Sequence, residues 1–381
     1  MNEPINSHYN CALAQHLLKV QNASTCRADQ CLCMLVKISH LLLQRTDAHK
    51  AGACTHMDVS MNSFTYPEPF AAIALCDSRG QLNPQAVGWS PRPMVDCAIP
   101  GHLGRRKRWN HWCITTPQWM LSFTQADLDY LGYAAAYFLD LQSGQAFAYS
   151  QYRLFGRGCD LPDQPQESHE FNHPRLQLRV AEHTGRTRIT INAPDIGGQP
   201  LQVALDIQRP AHLDSVNLVA PLGAKSFHAT SRQLGLPCSG SVQLGKQQYS
   251  CIAGQSFASL DFGRGVWPLN SHWTRAAFAA PGGIAGNFGA GWTDHSNLSE
   301  NTLWFGGELQ HLDNPIAITQ APHNPLAPWQ LRSPDDTVNL TFTPRQRHRA
   351  YRRLGPFYAD TQQWFGHFEG VLRGPEGERV P

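Results

Sequence analysis

The chain has 381 residues, with 31 Lys and Arg against 29 Asp and Glu and a formal net charge of +2. That balance excludes a protein that grips nucleic acid through its overall field. Hydrophobic residues make up 41% and charged residues 16%, beside 31 Gly, 27 Pro and 10 Trp; global disorder is excluded, and turns and aromatic-rich strands are favoured over long charged helices.

Residues 1–60 differ in character from the rest of the chain. They hold five of the 11 cysteines (Cys11, Cys26, Cys31, Cys33, Cys54) and one stretch, Met34 to Gln44, in which Leu35, Ile38 and Leu42 recur at helical spacing. This reads as a leader, disordered or part-helical, with the folded domain starting near Met61. The apolar run CLCMLVKISHLLL is broken by Lys37 and His40 and is no secretory signal. No run reaches the roughly 20 apolar residues of a spanning helix. The cysteines lack C-x-x-C spacing, and the lone C-x-C at Cys31 and Cys33 is a weak metal signal. They read as reduced and buried, in a cytoplasmic protein.

From about residue 110 the pattern has period 2. WCITT, WMLSF, YAAAYFLDL, AFAYSQY, LQLRV, TRITI, LQVALDI and SVNLVA succeed one another with turn residues between them. His-Thr-Gly-Arg joins LQLRV to TRITI as a hairpin; Gly245-Lys246 and Gly306-Gly307 suit two-residue turns. Roughly sixteen to nineteen strands at this spacing predict an all-β fold: tandem lipocalin-like (calycin-type) antiparallel barrels or a large two-part β-sandwich. QRPAHLDS suggests a boundary, giving a first barrel over 61–212 and a second over 213–381. At the end of the chain, QWFGHFEGVLR reads as a strand and ERVP as a return strand cut short, so either another strand covers that edge or the last strand is truncated.

Three segments gather chemistry. In LDFGRGVWPLNSHW, Gly263 and Gly265 suggest positive φ or close backbone approach, and Pro268 ends ladder pairing. On a regular strand Asp261 and Arg264 face opposite ways, so Arg264 needs another partner, with Glu300 and Asp294 as candidates. It is either a structural pin or part of a ligand site. In GRRKRWNHW, four cations precede Trp109 and Trp112, which alternate to opposite faces, one toward a core and the other toward a mouth or interface. A rim or pocket suits this run better than nucleic acid, and RQRHRAYRR reads as a solvated face or a phosphate or headgroup rim. In GNFGAGWTDHSNLSEN, Asp294 and Glu300 are acid–base candidates, or loop caps that pair with Arg264. There is no G-x-S-x-G, P-loop or H-E-x-x-H, and no metal or cofactor is expected.

These segments, with PEPFAAIALCDSRGQLNPQAVGWSPRP and FHATSRQLGLPCSGSV, resemble over about residues 65–375 a bacterial family catalogued as a domain of unknown function. The Asp261–Trp273 segment is similar to one in tocopherol cyclases, and carotenoid hydratases and their lipocalin-like relatives share a two-barrel architecture. The resemblance implies binding of an apolar, lipid- or isoprenoid-like molecule and acid catalysis on a carbon–carbon double bond. Asp261 or Glu300 would be the acid. Arg264, Trp267, Trp273, Trp109, Trp112 and Asn301 would line the ligand. A non-catalytic carrier and a carbohydrate-binding β-sandwich are the alternatives.

Overall fold

The computed structural model describes residues 36–43, 72–268, 270–291, 293, 298–321, 323–354 and 357–380. Among them are 25 strands and one 3-10 turn, Pro84–Ala86. The fold is all-β, as the period-2 pattern predicts, and is dominated by two large antiparallel sheets.

The first sheet runs in the order Ala146–Leu154, Leu131–Asp140, Trp119–Asp127, Arg106–Thr115, Phe257–Val266, Ser226–Leu244, Leu201–Gln208, Arg186–Ala193, Leu176–His183, His169–His173. It curls almost closed. Arg153 on the first strand donates to the Asn172 carbonyl on the last at 3.4 Å and lies 5.9 Å over the Phe171 ring. Trp112, Trp119, Phe123, Phe138 and Phe262 fill the interior. In the second sheet the order is Glu308–His311, Thr302–Phe305, Ile284–Ala290, Ser271–Ala280, Val36–Leu43, Phe357–Arg373, Val338–Leu354, Trp329–Arg332, Ala317–Thr319.

Burial shows how the two sheets meet. Leu201–Gln208 alternates buried and open positions, as a strand with one wet face must. Phe257–Val266 is buried on both faces after its first residue. One face looks into the first barrel. The other turns toward the second sheet, where Asp261 meets Arg275 and the neighbouring strand Ser226–Leu244 packs on Ser271–Ala280 and Ile284–Ala290; this seam holds the candidate site.

Two expectations need correction. The stretch read as helical is a strand, Val36–Leu43, paired antiparallel to both Ser271–Ala280 and Phe357–Arg373. Over so short a run, apolar spacing does not separate helix from strand, and two open ladder edges decide for the strand. It also lies along the edge of the QWFGHFEGVLR strand that needed cover. The division between sheets falls between Val266 and Ser271, not at 212/213. QRPAHLDS is only a loop, and the 19-residue strand Ser226–Leu244 returns to the first sheet to pair with both Leu201–Gln208 and Phe257–Val266.

Trp112, 1% exposed, anchors the barrel interior. Trp112→Ala is expected to lower stability by about 3–5 kcal/mol, measured as a lower urea midpoint with an unchanged m-value.

Candidate functional site

Strand alternation sorts the Leu260–Val266 segment. Leu260, Phe262, Arg264 and Val266 face the barrel interior, while Asp261, Gly263 and Gly265 face the seam. Asp261 and Arg264 therefore do point apart. Arg264, fully buried, is held by oxygens that carry no charge. Its Nη1 donates to the carbonyls of Trp109 (2.7 Å) and Gly263 (2.8 Å), and its Nη2 to Pro162 O (2.6 Å) and Asn110 Oδ1 (2.9 Å). Nε also reaches Pro162 O at 3.1 Å, and the guanidinium sits 3.8 Å over the Phe262 ring. Burial lowers its pKa to about 9. Glu300, one expected partner, is engaged by other arginines; the other, Asp294, lies outside the described residues.

The glycines flanking Arg264 serve close approach rather than positive φ. A Cβ on Gly263 would lie 2.0 Å from the Trp109 ring, and one on Gly265 would lie 2.4 Å from the Phe227 carbonyl. The Trp109 ring thus lies against the strand at Gly263. Its indole N–H donates to Asp261 Oδ1 at 2.8 Å.

Asp261 and Glu300 are brought together by two arginines that the sequence motifs did not single out. Arg232 pairs with Asp261 and donates through Nε to Glu300 Oε2 at 2.9 Å. Arg275 donates to Asp261 Oδ2 at 2.9 Å and to Asn287 Oδ1 at 2.7 Å. Asn287 in turn donates to the Glu300 carbonyl at 2.7 Å. All five side chains are buried. Gly289 leaves room for Glu300, because a Cβ there would sit 2.4 Å from Oε1. Asn301, an expected ligand residue, instead braces the backbone, its Oδ1 accepting from Gly289 N–H at 2.8 Å. The available signal for Arg232 was the period-2 run FHATSRQ, which puts His228, Thr230 and Arg232 on one face opposite Gly265, Gly263 and Asp261.

Electrostatically the quartet is two cations against two anions. Burial pushes the Glu300 carboxyl up. Arg232 and Arg275 outweigh it and bring the pKa down to about 2. A carboxyl in that state does not donate a proton near neutrality.

Above the quartet lies an aromatic cluster. His228 stacks on Trp109 with centroids 5.2 Å apart and planes 10° apart. Trp267 meets Trp109 edge-on at 5.1 Å and Trp273 at 4.8 Å. The Trp267 N–H donates to His228 Nδ1 at 3.3 Å, so the imidazole proton sits on Nε2. Burial, helped by Arg232, holds the His228 pKa well below its ordinary value, and the ring is neutral. Trp109 and Trp273 are half-buried and Trp267 is buried. Trp112 is not in this cluster; it lies in the barrel, with Arg209 5.5 Å over its ring.

The cations before Trp109 are committed locally. Arg106 pairs with Asp129 at 2.7 Å, Arg108 pairs with Asp127, and Arg105 donates to the Trp267 carbonyl at 3.0 Å. Lys107 is buried 4.8 Å over the Tyr130 ring, and burial lowers its pKa to about 8. In the later basic run, Arg349 pairs with Asp360 at 2.7 Å and Arg347 lies 5.1 Å over Trp364.

An apolar cavity of about 50 Å³ lies against the first sheet at Ser231 and Phe262, and clefts of about 430 and 1030 Å³, the larger of them mainly polar, lie elsewhere; none is lined by Asp261 or Glu300. Among the described residues no His, Cys, Asp and Glu cluster suits a metal ion, and no helix is long and apolar enough to cross a membrane.

A family model described as a domain of unknown function (DUF2804) matches residues 67–381. No curated protein sequence matches the chain. Two solved structures resemble it at low identity. One, described as AttH from Nitrosomonas europaea, has 12% identity and a TM-score of 0.41, covering 69% of this chain and 92% of its own. The other, kievitone hydratase from Nectria haematococca, has 10% identity and a TM-score of 0.39, covering 69% and 89%.

The Glu300 pKa falls on folding from an ordinary 4.5 to about 2. Its stabilisation is therefore complete above pH 4.5 and is lost as pH falls toward 2, an effect of about 3 kcal/mol. Glu300→Gln is expected to flatten that acid limb in urea melts across pH. It also lowers stability at pH 7, because Arg232 loses one of its two carboxylates.

Proposed function

Because the chain belongs to the DUF2804 family, whose description assigns no activity, we propose from the geometry that it binds an apolar, unsaturated small molecule at the seam, against Trp109, Trp267 and Trp273. One observation carries this reading. The indole N–H groups of Trp109 and Trp267 are both spent inward, on Asp261 and on His228, so what the half-buried Trp109 turns outward, beside half-buried Trp273, is apolar ring edge over a buried polar floor. Such a surface suits a hydrophobic or polyene ligand. The tryptophans meet edge-on in a cluster rather than lying in a parallel row, which argues against a sugar-stacking platform.

The quartet favours a carrier over an acid catalyst. Glu300 is held ionised, and both Asp261 oxygens are occupied by Arg232, Arg275 and Trp109. Protonating a double bond needs a carboxyl whose pKa is raised in an apolar site, and Glu300 has moved the other way.

Titration with farnesol is expected to quench tryptophan fluorescence saturably, while maltose leaves it unchanged. Trp273→Ala weakens farnesol binding about tenfold, in line with loss of a buried aromatic contact. The ligand recovered after incubation carries no added water by mass. Quenching by maltose alone would favour the carbohydrate reading. A farnesol hydrate that disappears in Asp261→Asn would restore the catalytic one.

A further inference from the structure

The apolar cavity of the first barrel carries an imbalance in its hydrogen bonding. Val87, Trp89, Val95, Val219 and Phe262 form much of its wall. Trp89 is held by stacking on His311, 4.3 Å apart at 4°. Cys97, also in the wall, stays a neutral thiol because burial pushes its pKa up to about 12. Five polar residues interrupt this lining, Gln85, Ser90, Asn217, Thr230 and Ser231; Ser90 and Thr230 spend their hydroxyls on the Arg92 and Phe262 carbonyls, while Asn217 and Ser231 lie directly opposite each other on paired strands.

Asn217 and Ser231 each keep one hydrogen-bonding atom without a partner. The Asn217 amide has a determined orientation. Its Nδ2 donates to the Ser90 carbonyl at 3.1 Å and to the Ser215 carbonyl at 3.4 Å, which only an NH₂ group can do. The other amide atom, Oδ1, is therefore an acceptor, and it is buried without a hydrogen bond. Ser231 is 3% exposed, and its Oγ is likewise buried and unbonded. Native proteins leave few such atoms, and each is a standing penalty on the empty fold.

The two orphans are complementary to one chemical group. A ligand hydroxyl donates to Asn217 Oδ1 and accepts from the Ser231 O–H, satisfying both. A ketone serves only the serine, and an alkane serves neither. The geometry points to a binding site for the hydroxyl-bearing end of an apolar molecule. At about 50 Å³ the cavity takes a chain end rather than a whole isoprenoid. Residues 87–95, which border it, are half-exposed apart from exposed Arg92 and give a route in. This site is separate from the seam. Ser231 faces the barrel interior, whereas its neighbour Arg232 faces the quartet.

Saturation-transfer NMR with 1-pentanol, 2-pentanone and pentane tests it on the full chain. The wild type is expected to rank them alcohol, ketone, alkane, with the alcohol about three- to tenfold tighter than the alkane. Ser231→Ala abolishes that preference, yet its thermal midpoint is unchanged or higher, because an unbonded buried hydroxyl has been removed. Trp273→Ala, which disables the seam, leaves the pentanol preference intact. A lower midpoint in Ser231→Ala would mean that the hydroxyl holds a structural bond, and would overturn the inference. So would equal affinity for alcohol and alkane, an alcohol preference that survives Ser231→Ala, or no saturation transfer at all.

Discussion

The seam depends on one interaction, the bridge that Arg232 makes between Asp261 and Glu300. Burying a charge costs several kcal/mol, and the cost is offset only where opposite charges and hydrogen bonds close around it. Arg232 and Asp261 lie on adjacent strands of the first sheet; Glu300 comes from the loop just before Thr302–Phe305 of the second. The bridge therefore cannot close unless the sheets are in contact, and the sheets cannot exclude water there unless it closes. Arg275 and Asn287 extend the same logic by tying Asp261 and Glu300 to two further strands of the second sheet. Gly263 and Gly289 are required by it: a side chain at either would displace Trp109 or Glu300 and leave a buried charge short of a partner.

The same closure limits the chemistry. A carboxyl becomes a useful proton donor when burial acts on it alone. At Glu300 burial acts too, but two guanidiniums outweigh it, and the pKa is lowered. Neutral His228, wedged between Trp109 and Trp267, adds no charge to the floor. The seam is thus an electrically balanced base beside aromatic rings.

Sequence pattern revealed the parts of this arrangement that alternation governs. The Gly245-Lys246 and Gly306-Gly307 turns, the opposite faces of Trp109 and Trp112, and the divergence of Asp261 from Arg264 are local consequences of a two-residue period. Partner choice was not legible. Arg264 reaches Pro162, 102 positions away, and Arg232 reaches Glu300, 68 positions away. No spacing rule connects such residues; only the curl of the sheets does. A buried Arg264 needs an acid or carbonyls because an isolated charge is costly; the carbonyls and the Phe262 face suffice, since the donors converge on them, and neither candidate carboxylate is shown on it. The strand near the N-terminus was hidden for a related reason. Its ladder partners lie more than 200 residues away, and nothing within Met34 to Gln44 announces them.

Ser226–Leu244 sets a further constraint. Ser231 and Arg232 are consecutive, so they serve opposite faces of one strand: the first looks into the barrel cavity, the second into the seam. Any shift of register by one residue would bury the arginine in an apolar cavity and present the serine to two carboxylates. Asp261, opposite Arg232 and paired with it, holds that register from the seam side. The cavity and the charge bridge are therefore parts of one structural decision. The strand that leaves a hydroxyl unbonded toward the barrel is the strand that delivers Arg232 to Glu300, and pressure on the register from one face is transmitted directly to the other.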